Sequence, residues 1–312
     1  MTARASSTGK VAEIKGSHNL FIAWTAEIRV DPRNDVSGRR RCRHIWINPN
    51  GLKWSLRRWS RSIESAVMST IDWLLDSDPA IRWQAMRDLT DATLEVVQAE
   101  RGRVATVGWG AALLSLQGPD GRWDGGTYRP GWVDDEKPFF DAWTATHFSL
   151  QLLREFGLNP ESPQSRKAVG LVREGVRWDT NNAPYFEGET EPCINGIALA
   201  NGAYFGVEGV GEIADRLVND QLDDGGWNCW AEYGAKVSSF HTTICVLEGL
   251  LAWEQSSGEP SDAVTAARRK GEDYLLERTL FRRRSNGDII DPRYTMFSFP
   301  ARWYYDVLRG LD

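Results

Sequence analysis

The chain has 312 residues, a net charge of −6 at neutral pH and 15 tryptophans. That length supports one large core or two modest ones, and the negative balance gives no general attraction for nucleic acid or an anionic membrane. The four cysteines, Cys42, Cys193, Cys229 and Cys245, lack disulfide-framework spacing, and there is neither a membrane-length apolar run nor a signal-peptide core, so the expectation is a cytoplasmic chain without a transmembrane segment.

The charge is unevenly spread. Residues 1–67 carry 13 Lys+Arg against 5 Asp+Glu, leaving 24 against 38 for residues 68–312. The basic clump Arg39-Arg-Arg41 with Arg43 is either a nucleic-acid or lipid contact or part of a disordered leader. Clean helical patterning starts just after Met68, which favours a leader, or an upstream extension of the reading frame, over residues 1–67.

From there helices of two kinds alternate. Ser77-Asp-Pro-Ala supplies a helix start with Pro in the first turn, followed by Ile81, Trp83, Met86 and Leu89. Gly108–Gln117 is a short apolar helix. His147–Phe156, Cys193–Phe205 and His241–Trp253 are apolar on most sides, whereas Pro163–Trp178, Val210–Gln221 and Ser261–Leu280 are amphipathic. A last helix is predicted over Ala301–Leu311. The sharpest local signal is Gln221-Leu-Asp-Asp-Gly-Gly-Trp227, a turn whose tryptophan can plug the corner between two helices. Gln117-Gly-Pro-Asp-Gly-Arg-Trp123 is its earlier counterpart. Across the second corner lie Cys229 and His241, both zinc ligands in their deprotonated forms.

The apolar helices start at His147, Cys193 and His241, intervals of 46 and 48 residues. Such a period implies stacked helical hairpins, apolar helices inside and amphipathic ones outside. Gly196, Gly202 and Gly249 inside the inner helices imply crowding, which favours a closed α/α ring over an open solenoid. The expected architecture for residues 68–312 is therefore an all-α toroid of about five hairpins, its inner helices starting at one common end.

The Gln-x-x-Asp-Gly-Gly-Trp corner is similar to the repeat of squalene–hopene cyclases and of protein prenyltransferase β subunits, both α/α toroids, over residues 72–312. The run Ile290–Asp306 also resembles bacterial squalene-cyclase-like proteins of no settled activity. The Asp-x-Asp-Asp acid of triterpene cyclases is missing, since Val133-Asp-Asp-Glu136 and Leu222-Asp-Asp-Gly225 do not match it. No Asp-Asp-x-x-Asp run is present to hold a diphosphate-bound Mg²⁺. The prenyltransferase likeness implies zinc held by an Asp and a Cys two residues apart and by a later His. Here Cys229 and His241 take the last two roles, but Trp227 stands where the Asp belongs. Cys193, starting the preceding inner helix, completes a Cys₂His set that is similar to the ligand set of lanthionine synthetase cyclases.

The expected centre is thus Zn²⁺ on Cys193, Cys229 and His241, with buried apolar thiols as the alternative. His147 is a fourth ligand, a proton-transfer group, or structural. Asp291 with Arg293 forms an anion site, supplies a proton carrier, or is an ion pair. Glu187, Glu189 and Glu191 form a solvated loop or furnish a base. Trp143, Phe148, Trp230, Phe240, Trp303 and Tyr304 are candidates to line a cavity for an isoprenoid or other hydrophobic molecule. Two function classes follow: an enzyme acting on such a substrate, with or without zinc, and a non-catalytic binder of lipid or peptide whose metal is structural or absent.

Overall fold

The computed structural model describes residues 69–133, 143–258 and 261–312, all within a unit that runs Ser65–Asp312. The leader expected at 1–67 and most of Val133–Glu136 lie outside the described residues. The described chain is helical, with isolated bridges such as Trp123–Gly126 but no sheet.

Helix α1 (Thr70–Leu75) opens on a capping box in which Ser69 and Asp72 satisfy each other's backbone N–H groups. Helix α2 (Pro79–Leu89) starts on Asp78, whose carboxylate accepts from Ala80 N, with Pro79 in the first turn as the sequence predicts. Helices α3 (Leu94–Gly102) and α4 (Gly108–Ser115) follow. Helix α3 is unanticipated because its apolar residues do not share one face: Leu94 is exposed whereas Val97 is buried. What holds it is polar, since Glu100 is buried between Arg82 and Arg103.

Then come three hairpins: α5 (Thr146–Glu155) with α6 (Pro163–Gly175), α7 (Pro192–Tyr204) with α8 (Gly211–Asn219), and α9 (Phe240–Ser257) with α10 (Asp262–Leu276). The expected alternation holds. Twelve consecutive residues of α7, Pro192 to Ala203, are buried, whereas α8 buries only Ile213, Ala214 and Leu217. Helix α7 packs between α5 and α9, and α9 is covered by α8 and α10.

The two corners are built alike. Trp123 N–H donates to Thr146 Oγ1 at 3.2 Å and its indole N–H to Leu113 O at 2.7 Å. Trp227 repeats both bonds, to Thr243 Oγ1 at 3.1 Å and Leu217 O at 2.7 Å. Gln117 donates to Gly121 O and Ala168 O, and Gln221 to Gly225 O and Ala267 O. Each corner thereby ties its own turn to the preceding helix, the next buried helix and the next outer helix. The third corner uses Trp178 without a glutamine, its indole N–H reaching Tyr185 O at 3.0 Å.

The helix expected over Ala301–Leu311 is not formed; residues 300–312 run as turns. Their polar groups are taken by other elements. Tyr305 N–H donates to the His241 ring, Val307 N–H to Tyr294 O, and Arg302 O accepts from Gln151. Arg309 reaches Glu248 with two bonds of 2.5 and 2.8 Å. Tertiary bonds have replaced the helical ladder.

Crowding at the glycines is real between α7 and α9. A Cβ on Gly196 would sit 2.3 Å from Cys245 O, and one on Gly249 would sit 2.4 Å from Gly196 O. Backbone meets backbone there, so nothing flexible can yield. Gly196→Ala is expected to lower unfolding stability by roughly 2 kcal/mol or more. Gly170→Ala, on α6 with nothing within 4 Å, should be neutral or gain up to about 1 kcal/mol. Urea unfolding of both variants checks the contrast; equal effects would contradict the close approach.

Candidate metal centre

The turn before α7 is set by one clamp. Asn195 accepts from Glu189 N–H and donates to Glu189 O, both at 2.7 Å. The Glu189 carboxylate accepts from Glu191 N–H and Thr180 Oγ1, both at 2.6 Å. Glu189 is therefore a buried structural acid, unlike the solvated loop residue that is one reading of the sequence. Its clamp fixes Glu191 at the N-cap and Cys193 in the first turn of α7. Cys229 arrives from the second corner, two residues beyond Trp227. There Asn228 closes an Asx turn by accepting from Trp230 N–H and donates to Val237 O.

These two segments bring Glu191, Cys193 and Cys229 together, with their ligand atoms all within 4.8 Å of one another. Cys193 donates to Glu191 Oε2 at 3.7 Å, and Cys229 Sγ lies 3.3 Å from Thr242 Oγ1. Tetrahedral donors bound at roughly 2.0–2.3 Å sit about 3.3–3.8 Å apart, so a small contraction would close these three on one cation. Hydrogen bonding to Cys229, then burial, holds the Cys193 thiol well above its ordinary range. Burial likewise raises the Glu191 carboxyl. Burial disfavours the charged form of both groups and a bound cation would favour it, so two thiols and a carboxyl fit a divalent, thiol-preferring metal whose binding is linked to proton release.

His241 is not part of this group, contrary to the sequence expectation. Successive helical residues point about 100° apart, and it is Thr242 that faces Cys229. The His241 ring turns instead to the C-terminal segment. Its Nδ1 accepts from Tyr305 N–H at 2.7 Å and its centroid lies 4.7 Å from that of Trp303. Burial first, then Arg293, pushes its pKa down to about 4.

His147 is fully buried among Tyr128, Phe148, Trp178 and Tyr185. Its Nδ1 lies 3.0 Å from Tyr185 OH, which also accepts from Asn201. Burial pushes its pKa down to about 3. It is a neutral core imidazole, apart from the cluster. Asp291 pairs with Arg293 through bonds of 2.6 to 3.1 Å and caps the short 3₁₀ turn Pro292–Thr295. Arg293 holds that carboxyl down at about 2, the ion-pair reading.

The aromatic candidates separate. Trp143, Phe148, Trp303 and Tyr304 join one connected set, with centroid separations of 4.8 to 5.8 Å. Phe240 belongs to the core beside Tyr274, Tyr294 and Tyr305. Trp230 is 71% exposed next to Cys229. Two hollows, along Leu74–Leu89 and between Pro160 and Val207, are lined by none of these six. No protein-family model, curated protein or solved structure matches the chain.

Both histidines have folded pKa values below the ordinary 6.5, so the unfolded chain binds more protons once the pH falls below that value. Their stability contribution is full above about pH 6.5 and is lost on acidification, by about 1.4 kcal/mol per pH unit for each imidazole while it titrates only in the unfolded chain. His241 stops contributing to the slope near pH 4 and His147 near pH 3. Urea midpoints between pH 7.5 and 4.5 measure the slope. His241→Gln should lower the slope by up to about 1.4 kcal/mol per pH unit, and an unchanged slope would contradict the burial account.

Proposed function

We propose that the helical domain is an α/α-toroid protein of the squalene cyclase and prenyltransferase type. Its Glu191–Cys193–Cys229 centre holds Zn²⁺ and serves chemistry on an isoprenoid or other hydrophobic substrate. The observation that carries this reading is the convergence of two thiols and a carboxyl from separate segments, 191–193 and 229, with their donor atoms within 4.8 Å. Bound Zn²⁺ with three protein ligands supplies an open position at which a thiol or water becomes a nucleophile near neutral pH.

The chain's own residues do the rest. Glu189 and Asn195 hold the turn so that Glu191 and Cys193 need little reorganisation. Thr242 orients the Cys229 sulfur. Trp230 follows Cys229 in the chain, and its exposed ring pairs with that of exposed Tyr233 at 6.5 Å, an apolar shelf for a hydrophobic substrate. The toroid reading is supported by two like corners and by buried helices alternating with one-sided ones.

A second reading, a metal that only staples the domain, is favoured by the burial of Cys193 at 4% exposure. Metal analysis and unfolding measured together separate the two. One zinc per chain is expected, lost in Cys193→Ala and Cys229→Ala, weakened about tenfold or more in Glu191→Gln and kept in His241→Ala. No zinc in protein expressed with the metal present would overturn the metal reading. A zinc-free protein that cannot fold would favour the staple.

A further inference from the structure

Among the described residues Cys193, Cys229 and Cys245 are free thiols, and their surroundings differ. Cys245 lies one turn inside α9, buried, donating to Trp303 O at 3.6 Å and accepting from Arg309 at 3.7 Å. Its sulfur is enclosed by the C-terminal segment. Cys193 is buried at the start of α7, whereas Cys229 is half-buried in the turn that leads towards α9. The Cys193 and Cys229 sulfurs belong to one group of atoms within 4.8 Å of one another.

We propose that Cys193 and Cys229 are a thiol–disulfide pair whose oxidation disables the metal centre. The consequence for the metal rests on the zinc reading above; formation of the bond does not. A disulfide needs the sulfurs to approach to about 2.05 Å. Cys229 lies in an irregular turn, its sulfur meeting Thr242, Glu191 and Cys193 itself, while Cys193 is fixed by helix α7, so movement of the turn supplies the approach. The partially exposed thiol is the one an external oxidant reaches first.

The step balances with a small-molecule disulfide of the glutathione class. Cys229 sulfur attacks one sulfur of the oxidant, forming a mixed disulfide and releasing one thiol. Cys193 sulfur then displaces the second thiol. The protein loses two S–H bonds and gains one S–S bond, while the oxidant is reduced to two thiols that carry away both protons. Glu191 alone remains of the ligand set, and one carboxylate does not retain zinc. Bound zinc, in turn, occupies both sulfurs and blocks oxidation.

The test uses the full chain, stripped of metal by a chelator and treated with oxidised glutathione, then analysed by intact mass and peptide mapping. The expected result is loss of two hydrogens and a cross-linked peptide pair joining Cys193 to Cys229, in the natural chain and in Cys245→Ala. Cys193→Ala should stop at a glutathione adduct on Cys229. Preloading with Zn²⁺ should slow cross-linking about tenfold or more, and the oxidised protein should bind no zinc until reduced. If the two cysteines stay reduced, or link to other cysteines instead, the pair is overturned whatever zinc does. If the cross-link forms and zinc still binds the oxidised protein, the switch is overturned while the bond stands. A chain that never bound zinc but cross-links as described would sink the metal reading alone.

Discussion

Trp227 is the residue on which the rest of the arrangement depends. Its side chain is fully buried, and its two N–H groups reach a carbonyl of α8 and a hydroxyl of α9. Burying an indole of roughly 200 Å² contributes about 5 kcal/mol as an upper figure, and each bond adds about 1 kcal/mol. One side chain thus fixes the angle between an outer helix, the turn after it and the next buried helix. Cys229 follows two residues later, so the corner that plugs the fold also delivers a thiol to the candidate centre.

The second constraint is the backbone contact between α7 and α9. With glycine at 196 and 249 the helices approach closely enough to bring the start of α7, with Glu191 and Cys193, beside the turn that precedes α9. Polar burial nearby is offset by specific partners. Glu248 is held ionised by Arg309, and this pair pins the C-terminal segment against α9. Both side chains are partly exposed, so removing one partner would leave a half-buried charge, a smaller cost than for a fully buried ion pair. The irregular C-terminus is therefore held by tertiary bonds instead of its own ladder.

Much of the helical architecture could be read from the residues because its causes are local. The Gln–Trp corners, the Pro starts at 79, 163 and 192, and the alternation of apolar with one-sided helices all rest on short-range chemistry. The final helix expected from the sequence is absent because the acceptors for residues 300–312 lie on α5, α9 and the Tyr294 turn, far away in sequence. The same division applies to the centre. Cys193 and Cys229 were identifiable as metal-capable thiols in successive repeats. His241 was grouped with them from its position at a helix start, but which way a helix-start side chain points depends on packing against the C-terminal segment. Glu191 reads from the sequence as part of an acidic loop or as a base, not as a metal ligand. A signal for it was present: an acid two residues before a cysteine, the spacing sought in vain before Cys229, occurs at Glu191-Pro-Cys193.

The most direct test of the central claim is the X-ray absorption spectrum of zinc-loaded full-length protein at the zinc edge. The account expects two sulfur scatterers at about 2.3 Å and oxygen donors near 2.0–2.2 Å, with no imidazole scattering. One sulfur or none, or a clear imidazole contribution, would contradict a centre built from Glu191, Cys193 and Cys229.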